Sequence, residues 1–172
     1  MRKISILLTL LFIMNSGFSQ SDNSKMIADW ERAKAYTKEY LDAMPDDGYS
    51  LKPTPEMRSF SEQMLHLAEA NYGLSSMASG KASPVKFGEL EKQADQSKAT
   101  TMKAVMDSYD FVIEGLKSMN ATNSAESIDV FGNKITKGDA FVKAFEHQTH
   151  HRGQTTVYLR MKGVKAPQEK LF

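Results

Sequence analysis

No cysteine occurs among the 172 residues. Disulfides, a lipidated N-terminal cysteine and a cysteine nucleophile are therefore excluded. A long apolar run is missing as well. The most hydrophobic stretch, Ile4 to Met14, is shorter than the roughly 20 residues a membrane-spanning helix needs. Neither sign of charge is in excess, with 22 Lys and Arg against 21 Asp and Glu. No basic stripe is present to follow a phosphate backbone, which argues against nucleic acid as a partner. There is no internal repeat, no low-complexity tract and no composition break that would divide the chain into two domains. The nucleophile-elbow pattern Gly-x-Ser-x-Gly is absent too.

The short apolar run has its own meaning. Arg2 and Lys3 precede it, and Asn15-Ser16-Gly17-Phe18-Ser19-Gln20 comes after, with Gly17 and Ser19 as a small-x-small pair. A basic start, a short hydrophobic centre and small residues at the end predict a cleaved signal peptide over residues 1–19. The expected mature protein is one domain over 20–172, exported to a periplasm or secreted, with no stable membrane anchor. Loss of Arg2 and Lys3 leaves 20 basic against 21 acidic residues, a net charge of −1. The pI of about 7.9 thus owes part of its basicity to the leader.

The mature chain reads as helix nearly throughout. From about Lys25 to Met44, Ile27, Trp30, Ala33, Thr37, Leu41 and Met44 recur at helical spacing, and Pro45-Asp46-Asp47-Gly48 stops the pattern. Ser59 with Glu62 three residues later is a capping box that starts a second helix, ended by Gly80. A third carries Met102, Val105, Tyr109, Val112, Leu116 and Met119 in alternating steps of three and four. The polar connection Asn120 to Lys137 contains a candidate hairpin, Val130 to Thr136, around Gly132-Asn133. A fourth helix is expected from about Gly138 to Lys162, capped near Thr136 or Lys137 and terminated by Gly163 and Pro167. The fold class is therefore all-α, a four-helix bundle with long connections. Most of the 11 methionines fall on the apolar stripes, where they serve as adaptable core filling.

Histidine is scarce and unevenly placed. Three of the four lie within five residues, in Glu146-His147-Gln148-Thr149-His150-His151-Arg152-Gly153-Gln154, and the fourth is His66 on the second helix. At about 100° per residue, His147 and His151 differ by about 40° and share a helix side with Ala140, Ala144, Gln154 and Tyr158. His66 shares its side with Glu62, Glu69, Ala70, Gly73 and Met77. Two histidines at i,i+4 and a third from another helix are the elements of a three-nitrogen metal site. His147 with His150 is an alternative pair, about 60° apart on the opposite side, and spacing alone does not choose between them. Such a metal centre would activate water or bind a thiolate for transfer to an electrophile. Glu69 is a candidate base or imidazole-orienting group, whereas Glu62 is better explained by its cap. Gln154 and Tyr158 are candidates to touch a bound water. Arg152 and Arg160 would meet an anionic substrate or neighbouring carboxylates, and Gly153 would permit close helix packing. Gln148 occupies the position where a zincin protease carries its glutamate base, which removes the peptidase reading.

The segment His147-x3-His151-Arg152-Gly153-Gln154, followed by Tyr158-Leu159-Arg160-x2-Gly163, resembles the C-terminal signature of the DinB/YfiT family. Ser59 to Glu69 resembles that family's second-helix motif. The resemblance covers essentially the whole mature chain and implies a four-helix bundle. It further implies a divalent metal, usually zinc or nickel, held by His66, His147 and His151, with His150 outside the ligand set. Members with known chemistry tend to be cytosolic, and several use low-molecular-weight thiols; an exported chain meets a different thiol supply. Relatives often pair as homodimers through their helices. The expected function is an exported divalent-metal protein, either a hydrolase or a thiol/group transferase acting on a small molecule, or a non-catalytic metal-binding scaffold.

Overall fold

A computed structural model describes residues 23–172. The expected signal peptide lies outside the described residues. Among these residues five helices form: α1 (Ser24–Ala43), α2 (Phe60–Ser79), α3 (Lys98–Lys117), the single-turn α4 (Ala121–Ser124) and α5 (Lys137–Met161). One antiparallel hairpin, β1 (Ser127–Val130) and β2 (Asn133–Thr136), precedes α5. The fold is all-α, as expected, with four long helices and long connections.

Local chemistry sets the helix ends. Ser59 and Glu62 form the capping box of α2, Ser97 caps α3, and Thr136 with Asp139 forms a further box at the start of α5. Gly80 closes α2 at φ 75°, in the left-handed conformation that glycine adopts without penalty. The periodic stripe begins at Met102, yet α3 starts four residues earlier, because the polar first turn is fixed by the Ser97 cap rather than by burial. The hairpin also differs from expectation. β1 begins at Ser127, and the turn is Phe131-Gly132 rather than Gly132-Asn133, with Val130 paired to Asn133. Both turn residues have positive φ, 52° and 81°, the requirement of a type I′ hairpin turn.

The long helices pack in a ring. α2 lies against α3 and α5, and α1 lies against the same two helices, so α1 faces α2 across the bundle and α3 faces α5. Chain-consecutive helices thus occupy diagonal corners in two cases, and the connections after α1 and α3 must cross an end of the bundle. The core between them is aromatic. Trp30 is fully buried and meets Tyr109 and Phe145 edge-on at centroid distances of 5.5 and 5.4 Å.

Gly153 does not serve close packing. A Cβ there would meet nothing within 4 Å, and the residue lies on the exposed face of α5. Gly153→Ala should therefore raise stability by about 0.5–1 kcal/mol through helix propensity alone. Urea unfolding is the check, and an unchanged or lowered midpoint would refute this account of Gly153.

A candidate three-histidine metal centre

α2 and α5 are neighbours, and their contact carries the site. His66 comes from the middle of α2, and His147 and His151 from successive turns of α5. One ring nitrogen from each lies within 4.8 Å of the others. The ring centroids are 5.2 Å apart for His66 and His147, 4.6 Å for His66 and His151, and 4.2 Å for His147 and His151. His150 is exposed and stands to one side, its ring 4.9 Å from that of His151. Between the two pairs that spacing left open, the structure gathers His147 and His151 around His66.

The electrostatics keep two of these rings neutral. Burial pushes the pKa of His147 down to about 4, and the charges of His66, His150 and Arg58 push the same way. Burial likewise depresses His151, to about 3, with help from His147, His66, His150 and Arg58. Neutral imidazole is the form that has a free lone pair to give. Among the described residues, His147 Nδ1 is also buried without a hydrogen-bond partner. A buried ring nitrogen that no such group satisfies suits a site completed by a ligand from outside the chain. The donor set therefore fits a divalent ion.

These shifts have a sign that can be tested. The unfolded chain protonates both imidazoles as pH falls through about 6.5, while the folded chain resists until about 4 and 3. Between those limits the unfolded state binds more protons, so stability drops with falling pH. Metal-stripped protein should lose urea midpoint steadily from pH 7 to 4.5, and a His147→Ala/His151→Ala double variant should flatten that slope. Equal slopes in the two proteins would show that these rings are not buried neutral.

The surrounding groups are partly unexpected. Glu91, from the 3-10 turn Leu90–Lys92, accepts a hydrogen bond from His66 Nδ1 at 2.5 Å and pairs with Arg58 Nε at 2.6 Å. Burial would raise the pKa of this carboxyl, but the hydrogen bonds from Arg58 and His66 outweigh it and hold the group below the usual carboxylate range. The imidazole-orienting role considered for Glu69 thus falls to Glu91. Glu69 is buried and accepts backbone N–H bonds from Gly88, Leu90 and Glu91 instead, at 3.0, 2.5 and 3.2 Å. Glu62 is held by its capping box and by Lys52 at 3.0 Å. The amide of Gln63 lies 2.7 Å from His151 Nδ1 and also meets Gln154. Gln154 therefore reaches the site through Gln63.

Arg152 and Tyr158 have partners that the sequence did not show. The Tyr158 hydroxyl donates to the Arg58 carbonyl at 2.8 Å, which fastens the loop before α2, and its side chain also lines a cavity beside His151. Arg152 turns into the core, where it donates to Gln148 Oε1 at 2.9 Å and lies over the Tyr36 ring at 4.5 Å. Its guanidinium is thus committed to partners inside the bundle, with little of the side chain left at the surface. Arg160 is exposed. Gln148 is fully buried in the same network, where its Oε1 accepts from Tyr109 as well as Arg152.

Comparison with known proteins agrees with this architecture. The family model described as the DinB family matches residues 16–171. The chain belongs to the DinB family. This DinB-family chain is 25% identical over 145 residues to an uncharacterized protein, YjoA, of Bacillus subtilis, a match spanning 82% of this chain and 91% of the relative. Among solved structures it is similar to a DinB-like protein from Bacillus cereus, with TM-score 0.75 and 20% identity over 89% of this chain and 99% of that one. The structure of Bacillus subtilis YjoA gives TM-score 0.66 and 22% identity over 86% and 96% of the two chains. A conserved protein from Enterococcus faecalis gives 0.68 and 16% over 81% and 96%. At these identities the structural likeness speaks for the fold alone.

Proposed function

We propose that this DinB-family protein is exported and binds one divalent metal ion, zinc or nickel, through His66, His147 and His151, as a metal-dependent hydrolase or thiol/group transferase of a small molecule. The observation that carries the reading is the convergence of three imidazoles from two helices, one of which has a buried ring nitrogen with no partner among the described residues. Imidazole donors suit both ions. When bound, such an ion supplies Lewis acidity, which makes a water or a thiol a better nucleophile near neutral pH.

The chain's own residues define the rest. Glu91 holds the Nδ1 edge of His66, which leaves Nε2 as that ring's donor atom. The Gln63 amide lies at the Nδ1 edge of His151 in a comparable position, 2.7 Å away. On the His151 side lies a polar cavity of about 650 Å³ that His150 and Gln154 help to line. His150 lines this cavity together with Glu56, and with its ring 4.9 Å from that of His151 it is the side chain to which proton exchange is assigned here. In a screen of esters, amides and thiol adducts with metal-restored protein, His150→Ala should keep its metal and lose most turnover.

The engagement of all three carboxylates near His66 favours a second reading, a metal-binding scaffold without catalysis. Absence of turnover on every substrate class, from protein holding a full equivalent of metal, would select it. A homodimer formed through the helices is part of the first reading. Size-exclusion chromatography with light scattering tests it, and a monomer mass would remove it.

A further inference from the structure

A second cavity, of about 350 Å³, opens on the other side of the histidines. His66 and His147 contribute to its lining. Its walls are nearly all carbon: Gly73, Leu74 and Met77 from α2 and Val85 from the connection after it. At the mouth stand Phe87 from that connection and Phe131 from the hairpin tip. These rings are 76% and 71% exposed, and their centroids lie 6.5 Å apart. Two aromatic rings this exposed, paired with each other at a cavity mouth, form an apolar surface patch of the kind that marks a binding site.

The backbone at the mouth is costly for such a residue. Phe131 has φ 52°, a left-handed conformation that Asn and Gly accept and an aromatic side chain resists. The favoured occupants of a type I′ turn are Asn-Gly or Asp-Gly. Here a phenylalanine takes the first place, and its ring is delivered to the cavity rim. At the opposite wall, Gly73 leaves open space, since a Cβ built there meets nothing within 4 Å. Helix α2 thus forgoes a side chain along the cavity wall, although glycine within a helix costs about 1 kcal/mol relative to alanine.

We infer that this chamber binds the uncharged apolar body, aromatic or aliphatic, of a small-molecule substrate, with Phe87 and Phe131 closing over it and its polar reacting end against His66 and His147. The volume lies within the range of small-molecule sites, and mainly apolar walls interrupted by a few polar side chains are characteristic of them. The polar cavity beside His151 remains for water or a second, hydrophilic reactant. The assignment rests on the metal-centre reading for the reactive end, but not for the apolar binding itself.

The test uses N-phenyl-1-naphthylamine, a neutral apolar fluorophore, titrated into the mature protein. Fluorescence should rise with saturation near one site per chain. Gly73→Leu and, separately, Ser76→Leu fill the chamber from α2 and should weaken binding at least tenfold with metal content unchanged. Phe131→Asn should weaken it about threefold or more while raising thermal stability, because it supplies the residue the turn prefers; a merely structural phenylalanine would not separate those two effects. His147→Ala should lose metal and still bind the fluorophore. No saturable signal in the wild type, or equal affinity in wild type and both filling variants, would overturn the chamber. Fluorophore binding in a protein that takes up no metal would overturn the metal centre alone.

Discussion

Purified protein should return about one equivalent of divalent metal per chain, and His66→Ala, His147→Ala and His151→Ala should each fall to background, while His150→Ala retains it. Each of the first three supplies one of the three imidazole nitrogens that lie within 4.8 Å of one another, and among the described residues no fourth histidine joins them. Glu91 and Glu69 also come near His66, but their oxygens already serve an imidazole, a guanidinium and backbone N–H groups. Glu91→Ala should give an intermediate result, an affinity about 10–100-fold lower with the metal still bound at saturation, as for other partners that orient a ligating histidine. Inductively coupled plasma mass spectrometry after dialysis separates these cases. Retention in His151→Ala together with loss in His150→Ala would sink the ligand assignment.

Gln148→Leu should cost about 2–4 kcal/mol of stability. Gln148 has no exposed surface, and its Oε1 accepts from Tyr109 Oη at 2.8 Å and from Arg152 at 2.9 Å. Leucine has similar bulk and leaves the cavity filled, so the loss is polar in origin. It strands a buried guanidinium whose other contacts are Thr37 at 3.4 Å and the face of Tyr36. A buried charge deprived of its acceptor costs more than a missing neutral hydrogen bond. The double variant Gln148→Leu/Arg152→Met should therefore recover part of the loss, since it removes the stranded charge. Thermal unfolding reads both, at roughly 2–4 °C per kcal/mol for a chain of this size. Strict additivity of the two substitutions would show that the network is not one unit.

The helices were legible because their signals are local. Alternating apolar steps, the Ser59–Glu62 box and Gly80 act within a turn or two of where they stand in the chain. The i,i+4 spacing of His147 and His151 is local in the same way, but it left the pair His147 and His150 equally open, and only packing against His66 separates the two. Glu91 gave no such signal. It sits in a single 3-10 turn inside the non-periodic 80–97 connection, and only tertiary packing brings it 25 residues along the chain to His66. The inward turn of Arg152 was equally hidden, because helical phase says which side a residue is on and not which side chains await it. The hairpin turn misled for another reason. Gly132-Asn133 has turn-forming composition, but pairing of Val130 with Asn133 moves the turn back by one residue and places Phe131 in a conformation it resists.

Glu69 ties these parts together. Its one carboxylate seats the backbone of Gly88, Leu90 and Glu91 on α2, so a single buried anchor fixes both the partner of His66 and the stretch just beyond Phe87. A connection that looks like spare chain is thereby made into a bracket. Insertions or protease cuts should be borne near residues 80–84 far better than at 88–91, where a nick would release the histidine's partner and one side of the aromatic mouth in the same event.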